Sequence, residues 1–204
     1  MTTTSLEPLR SAAPPLVAGR LVAASSIAFA VLVVGGDLAA WAGLGPGGSG
    51  SDPLAPGLGD AWAAGLLVAT VTAYGATCFW LERSRSFARV HAPEFGHARG
   101  SAGTWLGWLV PVVDWWFPYQ AVRDVRRATS RGERPEGLLA LWWLPWLAFT
   151  IATDWSWTEH ATPEQLPGAY FAVRTIALSL ALLPWLRIVR EVGADQRTLA
   201  AGTG

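Results

Sequence analysis

The sequence predicts an all-α membrane protein: four transmembrane helices, with an inner interfacial or re-entrant Trp/Pro element between helices two and three. Three observations predict it. Four apolar runs, at about 21–44, 62–81, 138–157 and 168–186, are each close to the roughly 20 helical residues that cross a hydrocarbon core of about 30 Å. All fifteen basic residues are arginines, and fourteen lie in the N-terminal tail, one central stretch or the C-terminal end; Arg174 alone lies inside an apolar run. The segments that would face the other side, 43–60 and 154–167, hold no arginine, which is the positive-inside asymmetry of a chain with both termini in the cytoplasm. Finally, charged residues make up only 15% of the chain, against about 25% in soluble domains. The net charge of zero hides a split: the outer segments carry Asp52, Asp60, Asp154, Glu159 and Glu164 with no base.

Residues 1–19 are rich in Thr, Ser, Pro and Ala without apolar period and read as a flexible cytoplasmic tail. The first run, 21–44, is long enough to span. A cleaved signal peptide is the competing reading, with Arg10 and Arg20 as its basic flank and small residues at Ala39, Ala40 and Ala42. Gly and Pro through 43–60 stop both helix and strand, so this is an outer loop. The second span, 62–81, carries Gly65, Ala69 and Ala73 at four-residue spacing, and the first carries Gly35, Ala39 and Gly43. Small residues on one face let helices approach, so both stripes read as helix contacts.

The inner segment 82–137 holds nine arginines and, within it, the apolar stretch 104–122. Pro111 and Pro118 would each remove a helical hydrogen bond. Asp114 would lie near the bilayer centre, and spanning would export Arg123–Arg134. The stretch therefore belongs in the inner leaflet or against the bundle. After Pro118, residues 119–129 read as an amphipathic helix on anionic lipid, with Ala121, Val122, Val125 and Ala128 on one face and Arg123, Arg126 and Arg127 on the other. The third and fourth spans follow, with Pro145 and Pro184 expected to kink them. Trp41, Trp62, Trp155 and Trp157 would form an outer belt, and Trp80 and Trp185 an inner one. Residues 191–204 read as a short polar cytoplasmic tail.

Two charges fall inside spans. Asp37 and Arg174 come at similar depth, roughly 8–9 Å below the outer boundary by helix rise, and are expected to meet as an intramembrane ion pair, the alternative being an Arg174 that snorkels to the outer headgroups. An unpaired charge at a span's centre costs about 2.5–3.5 kcal/mol on insertion scales. His91, Glu94 and His97 invite a metal reading, but their spacing is not that of the helical zinc motif, and Pro93 and Gly96 interrupt a helix, so a solvated loop is expected. Cys78 is the only cysteine, which excludes an intrachain disulfide. No nucleophile elbow, phosphate loop or dinucleotide fingerprint is present. No catalytic residue, cofactor or metal ligand is assigned, and no enzymatic activity is expected. The arginines flank spans, so lipid and topology explain them before nucleic acid does.

The string Trp105, Gly107-Trp108, Pro111, Asp114, Trp116, Pro118-Tyr119, followed by a short charged helix with Arg123, Arg126 and Arg127, resembles a bacterial membrane family catalogued as domain of unknown function 4328. The upstream Phe79-Trp80-Leu81-Glu82-Arg83 is similar to the start of that family's inner loop. The chain departs from the family at Asp114 and at Phe87-Ala88, where the family usually has Asn and Asn-Ala. The resemblance implies a multi-helix integral membrane domain and no activity. The expected function is an accessory or interaction protein of the inner (plasma) membrane, docking a membrane or cytoplasmic protein partner or anionic lipid through the Trp105–Arg127 motif. The alternative is a small transporter or channel-like unit, as a homo-oligomer, working through Asp37 and Arg174.

Overall fold

The computed structural model describes residues 13–42, 58–95, 105, 107–108, 113–158 and 168–202. Among these residues there is no strand. The elements are α1 (Leu16–Trp41), α2 (Leu58–His91), a single 3-10 turn (Val113–Trp115), α3 (Phe117–Thr129), α4 (Gly137–Thr158) and α5 (Gly168–Gly202). Helices α1, α2, α4 and α5 are long and apolar enough to cross a membrane.

Local chemistry sets the ends. Pro14 and Pro15 open α1, where a missing N–H costs nothing; their carbonyls accept from Leu16 (2.9 Å) and Gly19 (3.1 Å). The helix thus takes in residues that read as tail from sequence. Helix α2 stops two residues before Pro93. Pro118 sits in the first turn of α3. That helix ends in two left-handed residues, Arg131 (φ 51°) and Gly132 (φ 80°), whose reversal lets the Gly132 N–H donate to Arg127 O at 2.9 Å. Helices α4 and α5 continue through Pro145 and Pro184.

Helices α2 and α5 have 34 and 35 residues, about 50 Å each at 1.5 Å per residue and far more than a bilayer core requires. The polar tail expected at 191–204 is therefore helical as far as Gly202. Val189, Val192, Gln196 and Leu199 are buried along it, three or four residues apart, with Ile188 buried beside them, so one face of the extension is a packing face.

The chain forms two compact units. The apolar unit comprises Ala24–Tyr74 and Ala140–Trp185; the arginine-rich unit comprises Met1–Ala23, Gly75–Leu139 and Leu186–Gly204. In the apolar unit Ala30, Val33, Phe149, Ala177 and Leu178 form the core, edged by Phe29, Leu66, Trp146 and Leu182. Phe29 meets Phe149 edge-on, with centroids 6.2 Å apart. Lipid tails are as apolar as these side chains, so close packing rather than water expulsion joins them. Trp185 stacks on Trp142 at 4.9 Å and donates its indole N–H to Ser26 Oγ at 3.0 Å.

Of the small-residue stripes, Gly35 makes a helix contact and Gly65 does not, while Gly43 lies outside the described residues. A Cβ at Gly65 would meet nothing within 4 Å, whereas one at Gly36 would lie 2.9 Å from Trp62 Nε1 and 3.3 Å from two ring carbons. The contact is thus a tryptophan laid on Gly35-Gly36, by which the half-buried Trp62 packs α2 against α1. Gly36→Ala is expected to cost about 1–3 kcal/mol by overpacking, read as a lower melting temperature in lipid discs, with Gly65→Ala as the neutral comparison. Equal melting of the two variants would overturn this account of the contact.

The arginine-rich unit has its own core of Val22, Trp80, Leu81, Phe87, Val122, Val125, Leu139, Ile188 and Val192. Trp80 is almost wholly buried, with Gly19 and Val189 against one another beside it: a Cβ on Gly19 would sit 3.6 Å from both Trp80 Nε1 and Val189 Cγ1. Trp80 and Trp185, expected at the inner lipid boundary, are instead core residues of their respective units. Trp41 and Trp155 are exposed.

Candidate functional site

Helix α3 is the centre of the candidate docking motif. At about 100° per residue, Pro118, Ala121, Val122, Val125, Ala128 and Thr129 fall on one side, and all of them are buried. Trp116, Tyr119, Gln120, Arg123 and Arg127 fall on the opposite side. Trp116 caps the helix, with its carbonyl accepting from Gln120 N at 3.1 Å, and its side chain is exposed. The Arg123 guanidinium lies 5.9 Å from the Tyr119 ring centroid and 3.7 Å from Asp124 Oδ1. Arg127 is exposed.

Arg126 does not belong to that outward side. Its side chain is 4% exposed. It donates through Nη1 to Pro135 O at 2.8 Å and through Nη2 to Glu191 Oε2 at 2.9 Å. The sequence reading grouped it with Arg123 and Arg127 on a lipid-facing side. It lies four residues after Val122, however, and so flanks the buried face, where α5 offers a carboxylate. Glu191 also accepts from Arg187 Nε at 3.0 Å. Arg134 grips Asp195 through two hydrogen bonds, Nε at 2.8 Å and Nη2 at 2.7 Å. That bond holds the Arg134 guanidinium above its ordinary pKa, so it stays charged at any physiological pH. The network fastens α3 and the turn after it to α5. Its signal was in the sequence: Arg187, Glu191 and Asp195 are spaced by four on what proves to be helix. A second buried cation, Arg85, pairs with Glu82 at 3.2 Å.

The remaining motif residues are spread out. Trp105 is exposed, Trp108 is half-buried in a turn, Asp114 lies in the 3-10 turn and is half-buried, and Pro118 is buried. Pro111 and His97 lie outside the described residues. His91 stacks on Phe87 with centroids 4.1 Å apart, and its Nδ1 is 3.1 Å from Phe87 O.

The intramembrane charges lie together in the apolar unit. Arg174 on α5 places Nη1 3.6 Å from Asp37 Oδ1 on α1 and donates to Tyr170 Oη at 2.9 Å. Its guanidinium is also 5.3 Å from the Tyr170 ring centroid and 5.5 Å from that of Phe149, so it is held by two aromatic faces as well as by the acid. Asp37 is buried, and its Oδ2 and the Arg174 Nε have no hydrogen-bond partner among the described residues. Sequence depth brought the pair to notice, but nothing in it pointed to the aromatic clamp.

A family model described as Domain of unknown function (DUF4328) matches residues 54–192. The match takes in Arg126, Arg174 and Glu191 and leaves out α1 with Asp37. No curated protein matches the chain, and no solved structure does.

Proposed function

Since the chain belongs to the family described as Domain of unknown function (DUF4328), a premise that supplies no activity, we propose from its own residues that it is a non-enzymatic accessory protein of the plasma membrane. It docks a protein partner or anionic lipid through the outward side of α3, with this side and both termini in the cytoplasm. One observation carries the reading: α3 is fixed from behind by the Arg126–Glu191 bond while its opposite side, with Trp116, Arg123 and Arg127, stays at the surface. The arginines support the orientation. All those in the described residues except Arg174 fall in one unit, and arginine-rich segments are retained in the cytoplasm.

The test is extraction of the full chain into native lipid discs from its own membrane, followed by mass analysis of what co-purifies. A stoichiometric second protein, or a selected anionic lipid, lost in Arg123→Gln/Arg127→Gln, is expected. Retention of every co-purifying species by that variant would sink the docking reading.

A second reading, a small homo-oligomeric transporter, draws on the unpartnered Asp37 Oδ2 and Arg174 Nε. Under that reading Asp37→Asn abolishes transport and leaves the fold and docking intact.

A further inference from the structure

We infer that the outward side of α3 is a contact for the headgroup phosphates of anionic phospholipids. This inference rests on the docking reading above and names its partner. Trp116, Tyr119, Arg123 and Arg127 recur at three- and four-residue steps, so they form one stripe along the helix. The stripe is ordered: aromatic side chains occupy its N-terminal half, next to exposed Trp115, and arginines its C-terminal half. None of the residues on it is acidic; Asp124, the nearest acid, sits on the flank and is largely covered.

The chemistry of this order selects the occupant. Tryptophan and tyrosine rings settle at the level of lipid headgroups, where one end is apolar and the other wet. The guanidinium fork matches phosphate oxygens through two parallel hydrogen bonds. A convex helix side carrying rings and then cations is the form of an interfacial helix, whereas a protein ligand calls for a groove and a buried anchor. The buried back of α3 matters too. A free amphipathic helix would insert its apolar face among acyl chains, but here that face is used up in the protein core. What remains is a polar-aromatic stripe suited to headgroups alone. The unit that carries it also contains the extended ends of α2 and α5, both of which are long and apolar enough to cross a membrane.

The experiment uses the full chain in discs of mixed phosphatidylglycerol and phosphatidylcholine, released gently and weighed with its retained lipids. A basic residue at an anionic surface contributes about five-fold in binding. Wild type is expected to retain phosphatidylglycerol over phosphatidylcholine at least about five-fold more than Arg123→Gln/Arg127→Gln does. Arg123→Lys/Arg127→Lys, which keeps both charges, should hold most of the selectivity, and Arg190→Gln/Arg197→Gln on α5 should hold all of it. The inference is overturned if the α5 variant loses selectivity as much as the α3 variant does. It is also overturned if wild-type selectivity is indifferent to salt, which screens headgroup contacts; this measurement decides even if the glutamine variant fails to fold. Unchanged lipid selectivity in Arg123→Gln/Arg127→Gln with loss of a co-purifying protein overturns the lipid partner and leaves docking standing. Loss of neither removes both.

Discussion

Arg126→Ala is expected to destabilise the arginine-rich unit by about 3–5 kcal/mol, the cost of breaking a buried ion pair from one side. The arginine is almost fully covered and makes two hydrogen bonds, to Pro135 O and Glu191 Oε2. Its removal strips the carbonyl of a donor and leaves Glu191 with Arg187, which is largely exposed, and Arg134 at 3.7 Å. It also opens space where a buried side chain stood. The expected result is early hydrogen exchange along α3 and a lowered melting temperature. Arg126→Met should recover part of the loss, because it refills the space while Glu191 keeps Arg187 and Arg134. An Arg126→Ala protein that melts within about 0.5 kcal/mol of wild type, the range of an ordinary surface substitution, would show that the bond does not hold α3 in place.

Arg174→Ala is expected to have a comparable effect by a different route. It leaves Asp37 buried in the apolar unit with no cation, at a cost of up to about 2.5–3.5 kcal/mol on insertion scales and somewhat less at this depth. Arg174→Lys should recover only part of this. A lysine restores the charge but not the planar group that lies 5.5 Å from the Phe149 and 5.3 Å from the Tyr170 ring centroid. Asp37→Asn together with Arg174→Gln should be tolerated better than Arg174→Ala, and the exchange Asp37→Arg with Arg174→Asp should restore part of the yield. The measurement is the amount of folded protein recovered from the membrane, with its melting temperature. If each single variant is well expressed and the exchange changes nothing, the charges do not act as a pair.

The four spans were legible because the test is crude and the signal long: about 20 apolar residues with hardly a charge. The helical extensions were not, because arginines and acids dilute the apolar content there. Their three-to-four residue period at Leu81, Ser84, Ala88 and at Val189, Val192, Gln196 is visible only once the charged positions are discounted. Arg126 was misplaced for a related reason. Residue type assigned it to the surface, while its position four residues from Val122 assigned it to the core, and the deciding partner, Glu191, lies 65 residues away. The tryptophans misled in the same manner. Trp80 and Trp185 stand near the ends of apolar runs, as boundary residues do, but a glycine at 19 and a serine at 26 offer them space or an acceptor that no local pattern discloses. The Asp37–Arg174 meeting required only depth, which helix rise supplies.

That pair also sets a schedule for biosynthesis. Asp37 is made 137 residues before Arg174. At about 5–20 residues per second, translation leaves the acid without its cation for about 7–27 s. During that interval α1 carries an uncompensated carboxylate into the bilayer and is a poor candidate for early release from the insertion machinery. Synthesis of α5, which follows α1 in the chain, is the event that lets α1 settle.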